Sequence, residues 1–137
     1  MTPARYLLDS NALSQFARNP HGPLAVAITS HPPRALCTSI VVACEIHLGL
    51  QRGGSARIRS RMLEILATLA VVPLESPVEV HYGDIRAHLQ SIGQPIGSNA
   101  LLIAAHARSL GMTVVTNNTR EFGRVPGLVV EDWTLAP

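Results

Sequence analysis

The sequence predicts an α/β domain in which a central parallel sheet is flanked by helices on both faces, in three layers. Its 137 residues suit one domain and leave no room for a second core, and 47% are apolar against 15% charged. Short apolar runs alternate with helical patterns along the chain, which is typical of parallel sheets covered on both faces. With no linker, repeat or low-complexity tract, residues 1–137 are expected to form a single domain.

Five apolar runs of strand length predict the sheet: Arg5–Leu8, Ala35–Thr38, Val71–Leu74, Thr113–Thr116 and Leu128–Glu131. The first strand commonly lies centrally in such sheets. Ligands bind beyond the carboxyl ends of the strands, at the point where the strand order reverses. Residues that directly follow strands are therefore the first candidates for chemistry.

Helical patterns fill the intervals between these runs. The clearest places Val78, Tyr82, Ile85, Leu89 and Ile92 on one apolar stripe after Pro77. Five other helices are predicted. The first contains Leu13 and Phe16, the second spans Leu24–Thr29, and the third runs from a Ser39 cap through Leu50. The fourth spans Ser55–Leu69, and the fifth runs from a Ser98 or Asn99 cap to Leu110. A polar loop is expected over Asn117–Pro126.

Several classes of protein are disfavoured. No apolar run approaches the roughly 20 residues of a membrane span, and Met1–Asp9 lacks the pattern of a secretion signal, so a cytoplasmic protein is expected. Cys37 and Cys44 lie among apolar neighbours and are predicted to be buried free thiols, with no zinc-type spacing. A net charge of +2 is too small to indicate nucleic-acid binding. All eleven basic residues are arginine, but codon bias in a GC-rich genome explains this choice more readily than phosphate binding.

Three of the nine acids stand where chemistry is possible. Asp9 ends the first strand, where a pocket carboxylate and a helix cap are equally good interpretations. Glu45 is predicted to share an inward helix face with Val41, Cys44 and Leu48, and a carboxylate there needs a cation or strong donors. Glu121 follows the fourth strand, although by itself it is better read as a solvated loop charge.

A fourth acid, Asp84, has histidine neighbours at helical spacing. His81, Asp84 and His88 could together hold a metal ion. They lie about a quarter turn from the apolar stripe, and a solvated helix face is the favoured interpretation.

Four segments in order resemble the PIN-domain toxins of the VapC family. They are Leu7–Asn11, Cys44–Gly49, Gly97–Ala104 and Thr116–Phe122. The resemblance continues through Val125–Leu128 and Glu131–Trp133, so it covers nearly the whole chain. Each segment alone would be weak evidence, but their order makes the resemblance specific.

The resemblance implies a PIN-like fold and a ribonuclease toxin of a toxin–antitoxin pair, with an acidic pocket that uses Mg²⁺ or Mn²⁺. The family's catalytic acids correspond to Asp9, Glu45, the position of Ala100, and Glu121, with metal held at Asp9 and at position 100. The residues implied to support the pocket are Ser10, Asn11, Thr116, Asn117 and Asn118, with hydroxyls from Ser10 and Thr116 offered to water or phosphate. The implied partners are a VapB-type antitoxin, an RNA substrate such as transfer RNA cut in or near its anticodon stem-loop, and a second copy of the chain.

Ala100 departs from the family pattern, which has an aspartate in this first turn of the helix. Alanine is an excellent helix former, so propensity does not expose the difference. An engineered inactivating substitution and a natural degenerate copy both explain it. We expect little or no nuclease activity from this chain.

The expected reaction explains why several carboxylates are needed. Phosphodiester cleavage needs activated water and neutralised phosphate charge, and Mg²⁺ or Mn²⁺ provides both while preferring oxygen ligands. Two carboxylates about 4 Å apart repel by roughly 4 kcal/mol at an effective dielectric of about 20, so an acidic cluster calls for a cation. Since only 4% of residues are aromatic, RNA recognition through phosphate contacts and shape is expected rather than base stacking.

Two other functions compete with the nuclease as interpretations of the sequence. A nucleotide-binding or signalling α/β module would need a glycine-rich phosphate loop, and neither GxGxxG nor GxxxxGK[ST] occurs. A catalytically inactive protein that only binds its antitoxin is compatible with Ala100.

Overall fold

The computed structural model describes residues 4–135, and over this range the chain forms a parallel five-stranded sheet flanked by seven helices. The strands are β1 (Tyr6–Leu8), β2 (Leu36–Ser39), β3 (Ala70–Val72), β4 (Thr113–Val115) and β5 (Val130–Glu131). The helices are α1 (Ser10–Arg18), α2 (Pro23–Thr29), α3 (Ile40–Arg52), α4 (Ala56–Thr68), α5 (Val78–Ser91), α6 (Ser98–Ser109) and α7 (Thr119–Phe122). The predicted fold class is therefore confirmed.

The strand order is β3-β2-β1-β4-β5, with β1 at the centre as predicted. β2 and then β3 follow on one side of β1, and β4 and then β5 lie on the other side. The order thus reverses between β1 and β4, whose last residues Leu8 and Val115 are paired. In open α/β sheets this reversal opens a crevice at the carboxyl ends of the strands.

The core is one cluster centred on the inner strands and the helices against them. Leu7 and Leu8 of β1 and Val114 and Val115 of β4 are essentially inaccessible to solvent, which explains why these strands are continuous apolar runs. On α5, the predicted apolar stripe is buried at Ile85 and Leu89 and partly buried at Val78 and Tyr82. Ile92 follows the helix and is 48% exposed, so the prediction that it belongs to the apolar stripe was wrong.

The predicted loop 117–126 contains the short helix α7, which local polarity did not reveal. The predicted cap of α6 was also wrong. Gly97 occupies the N-cap position, and no side chain caps the helix. The side chain of Asn99 instead donates to Glu45, a contact made by the fold and not by the local sequence.

The inward face predicted for α3 was also wrong. This helix buries Val41, Val42 and Ile46, and leaves Cys44 and Leu48 exposed, with Glu45 half-buried at its edge. The prediction of a buried thiol therefore fails for Cys44 and holds for Cys37, whose pKa is raised to about 11 by burial. Both thiols are free.

Ser39 links the end of β2 to two buried groups. Its hydroxyl accepts a hydrogen bond from Val41 N as the N-cap of α3, and it lies 2.8 Å from Nδ1 of buried His106. Burial lowers the pKa of His106, so this ring is neutral at pH 7 and depends on such a partner.

Ser39→Ala is expected to lower the free energy of unfolding by about 2 kcal/mol, because it removes a helix cap and leaves a buried ring nitrogen without its partner. Ser55→Ala, which removes the exposed cap of α4, serves as the control and is expected to cost about 0.5 kcal/mol. Urea titrations of both variants measure the difference. Equal losses would show that the contact with His106 contributes nothing.

None of the helices within residues 4–135 combines the length and apolar character needed to cross a bilayer.

Candidate active site

A cavity of about 420 Å³ opens at the carboxyl ends of β1 and β4, where the strand order reverses. Residues from the junction of β1 and α1 and from α3, α6 and α7 reach it, although they are far apart in the sequence. The lining residues are Asp9, Ser10, Asn11, Glu45, Gly97, Ser98, Asn99, Ala100, Ile103, Asn118, Glu121 and Phe122. The three acids singled out in the sequence thus share one cavity.

Asp9 is only 3% exposed and serves both roles that the sequence left open. Its Oδ1 accepts a hydrogen bond from Ala12 N at 2.9 Å as the N-cap of α1, and the residue also lines the cavity. Burial raises the pKa of Asp9 to about 6, and the charge of Glu45 adds to the rise, against hydrogen bonds from the Thr116 side chain and the Ala12 backbone. The hydrogen bonds to Asp9 therefore do not fully compensate the burial of its ionised form.

Glu45 is half-buried, and each of its carboxylate oxygens accepts one hydrogen bond. Ser10 Oγ donates to Oε1, and Asn99 Nδ2 donates to Oε2 at 3.2 Å. These donors come from α1 and α6, so three helices fix the carboxylate at the mouth of the cavity. The sequence argument that Glu45 needs strong donors or a cation is met in part by these two side chains.

Glu121 is held by a backbone donor and a side-chain donor. Gly97 N donates to Oε2 at 2.8 Å, and Asn118 Nδ2 donates to Oε1 at 3.1 Å. The hydrogen bond from the Gly97 backbone, followed by that from Asn118, lowers the pKa of Glu121. Glu121 is therefore an ionised member of the cavity on α7, and reading it as a solvated loop charge was wrong.

Ala100 lies in the first turn of α6 and lines the same cavity as these acids. Its methyl group offers no ligand. Among residues 4–135, no three His, Cys, Asp or Glu side chains lie close enough together to form a metal site. The acids share a cavity, but they do not converge on one point.

The other predicted pocket residues divide into two groups. Ser10, Asn11 and Asn118 line the cavity. Thr116 is buried beneath it, where its hydroxyl hydrogen-bonds Asp9 and accepts from Asn118 N, so it does not present its hydroxyl to water or phosphate as expected. Asn117 is exposed and does not line the cavity.

Two groups that hold the acids in place, Asn99 and the backbone N–H of Gly97, were missed as site residues. Each orients a carboxylate from another element across the cavity. For Gly97, the position at the start of α6 was the available signal, because the first backbone N–H groups of a helix have no partner within the helix.

His81, Asp84 and His88 do not line this cavity. Asp84 is exposed, in agreement with the favoured interpretation of a solvated helix face. Asp84 forms an ion pair with Arg108 at 2.7 Å, and the Arg108 Nε donates to His81 Nδ1 at 2.8 Å. His88 is exposed. An arginine thus occupies the place between His81 and Asp84 where a metal would have been held.

Comparison with known proteins identifies the family. A model of the PIN domain matches residues 6–128. The tRNA(fMet)-specific endonuclease VapC of Salmonella typhimurium is 32% identical over 130 residues, covering 94% of this chain and 98% of that protein. This chain is a PIN-domain protein of the VapC family. Ribonuclease VapC2 of Rickettsia felis is similar as well, with 30% identity over 93% of this chain and 97% of that protein.

The fold of this VapC-family chain is also that of solved relatives. The DNA-bound VapBC complex of Salmonella typhimurium contains a chain that superposes with a TM-score of 0.83 at 31% identity. The superposition covers 95% of this chain and 98% of that one. The likeness therefore extends over the sheet and all the elements that bring the acids together.

The chemical types of the donor atoms at the cavity suit a divalent cation, but their number is too small to surround one. Every ligand available at the cavity is a hard oxygen or an amide, which suits Mg²⁺ or Mn²⁺. The raised pKa of Asp9 indicates a carboxylate that lacks compensating positive charge. Ala100 lines the cavity and contributes no ligand.

Proposed function

We propose that this chain is the ribonuclease member of a toxin–antitoxin pair and that Ala100 leaves it with little or no activity. The observation that carries the proposal is the cavity itself, which Asp9, Glu45 and Glu121 line together with the methyl group of Ala100. Relatives named as ribonucleases at 30 to 32% identity over nearly the whole chain support the reaction class.

Each acid has a distinct part in the proposed chemistry. Asp9 is the buried ligand, because it alone has a strongly raised pKa and gains most from a cation. Glu45, held by Ser10 and Asn99, faces the same cavity from α3 and would hold a metal or a water molecule. Glu121, kept ionised by Gly97 N, would orient water from the α7 side.

Mg²⁺ or Mn²⁺ is the proposed cofactor, held by Asp9 and by a carboxylate at position 100 where one is present. Such an ion, when bound, neutralises charge on the scissile phosphate and makes water a stronger nucleophile. The residues of this chain position the ion and the RNA.

A transfer RNA is the proposed substrate, supported by the relative named as specific for tRNA(fMet). The test is to incubate the Ala100→Asp variant with total RNA and Mn²⁺ and to sequence the new RNA ends. New ends at one position of a tRNA anticodon stem-loop would support the proposal. Cleavage of DNA alone, or no cleavage of any RNA, would contradict it.

Asn99→Ala in the Ala100→Asp background is expected to lower kcat about tenfold, since groups that orient a ligand typically contribute 10- to 100-fold. The reason is that Glu45 would lose its donor on Oε2 and turn more freely. Ser98→Ala, one residue earlier on the same turn, is the control, because Ser98 donates to no carboxylate within residues 4–135. Equal rates in both variants would show that the position of Glu45 does not matter.

A VapB-type antitoxin is the proposed partner, supported by the VapBC complexes among the solved relatives. Ala100 does not remove the remaining acids, so a basic side chain of the antitoxin could still enter the cavity. Catalytically inactive antitoxin binding is therefore the second candidate function.

Co-expression with a VapB-type antitoxin separates the two candidates. An Ala100→Asp variant that cuts RNA supports the nuclease. A variant that binds antitoxin and never cuts supports the binding protein. The mass of the purified chain in solution tests the expected homodimer.

A further inference from the structure

A second cavity of about 630 Å³, here called the arginine groove, runs from the acidic cavity along α1, α3 and α4. The two cavities share Ser10, Asn11 and Glu45, so they adjoin each other. The arginine groove is bordered by Arg18, Arg57 and Arg59, with Ile46 and Met62 in its floor. Neither the proposed catalytic residues nor the core accounts for these three arginines.

The three arginines are exposed and carry uncompensated charge. Over residues 4–135, the ion pair between Arg108 and Asp84 is the only one present, and it lies on another face of the protein. Glu45 is the only acid that lines the arginine groove, and its oxygens are already engaged by Ser10 and Asn99. Arg61 differs from these three, since it donates to Ala17 O and ties α4 to α1.

This arrangement favours a polyanion in the groove. Guanidinium groups match the geometry of phosphate oxygens and remain charged at any physiological pH. When one phosphodiester of an RNA lies at the acidic cavity, the neighbouring phosphates of the same RNA must lie along an adjoining open surface. The acids would repel those phosphates, whereas the arginines next to them attract them.

We propose that the arginine groove binds the sugar–phosphate backbone of the RNA on one side of the cut, with Arg18, Arg57 and Arg59 as phosphate-binding, substrate-positioning residues. The inference rests on the proposed ribonuclease function and adds where its substrate lies. The groove contains no aromatic side chain to stack bases, so binding there depends on charge and not on sequence.

The test compares two double variants that remove the same charge. Arg57→Gln with Arg59→Gln alters the groove. Arg5→Gln with Arg34→Gln is the control, because these exposed arginines precede β1 and β2 at the opposite edge of the sheet. Binding to an anticodon stem-loop RNA is measured by fluorescence anisotropy in EDTA over a range of salt concentrations, which excludes cleavage.

The groove variant is expected to raise Kd about tenfold and to lower the slope of log Kd against log salt by about 1.5, as for two lost phosphate contacts. The control is expected to change Kd less than about threefold. Equal weakening by both variants, or no weakening by the groove variant, would overturn the inference. Loss of antitoxin binding with unchanged RNA affinity would also overturn it, because the groove would then be a protein-docking site.

The outcome for the groove is separate from that for the proposed function. If the Ala100→Asp variant cuts no RNA, the ribonuclease proposal fails whatever the binding data show. If that variant cuts RNA while the groove variant in the same background cuts and binds as well as the control, only the groove is excluded. Melting temperatures of both double variants establish that they are folded.

Discussion

Ala100→Asp is expected to raise the rate of RNA cleavage in Mn²⁺ about 100-fold or more, since even groups that only orient a ligand contribute 10- to 100-fold. The new carboxylate would stand in the first turn of α6, where the partial positive charge of the helix N-terminus favours an anion. It would face the cavity that already contains Asp9, Glu45 and Glu121. The measurement is single-turnover cleavage of labelled tRNA by both proteins.

A metal titration provides the second readout of the same substitution. Without metal, the added carboxylate repels its neighbours, so the melting temperature is expected to fall. With Mn²⁺, the variant is expected to gain more thermal stability than the chain with Ala100, because a cation that binds only the folded state stabilises it. Ala100→Asn is the matched control, since it fills similar space without charge. If all three proteins show the same cleavage and the same response to metal, the acidic-cluster argument fails.

Asp9→Asn is expected to stabilise the metal-free protein at pH 7 by about 2 to 3 kcal/mol. Asparagine caps a helix as well as aspartate does, so α1 keeps its N-cap. The substitution removes a charge that burial disfavours, and a pKa raised to about 6 corresponds to a cost of this size when the group ionises. The same substitution in the Ala100→Asp background is expected to abolish cleavage, because the buried ligand is lost.

The stabilisation by Asp9→Asn should depend on pH in a defined direction. The pKa of Asp9 is higher in the folded than in the unfolded protein, so the folded state binds more protons between about pH 4 and 6. Stability conferred by protonated Asp9 is therefore present below this window and lost as the pH rises through it. His106 titrates in both proteins, so only the difference between them reports on Asp9.

Urea titrations of the two proteins at pH 4, 5, 6 and 7 in EDTA measure this difference. It should be near zero at the lowest pH and largest at pH 7. A difference that stays constant with pH would mean that the cost of Asp9 is not electrostatic.

The sequence predicted the positions of some residues of the candidate site better than those of others. Asp9 follows an apolar run that is clearly a strand, so its place at the sheet edge was readable from the pattern. Glu45 was correctly singled out for the wrong reason, because Cys44 and Leu48 on its supposed inward face are exposed. The missing acid at Ala100 was visible only through the resemblance to the VapC family, since alanine satisfies every local rule for a helix.

The sequence by itself determined the order of the strands and of the six helices α1 to α6, the central place of β1 and the edge of the sheet at which Asp9 lies. Only the tertiary structure decided what each acid touches: Ser10 and Asn99 on Glu45, and Gly97 N on Glu121. These contacts join residues 24 to 54 positions apart. Apolar periodicity encodes which face of an element is buried, whereas the meeting of two side chains from different helices depends on how those helices pack on the sheet.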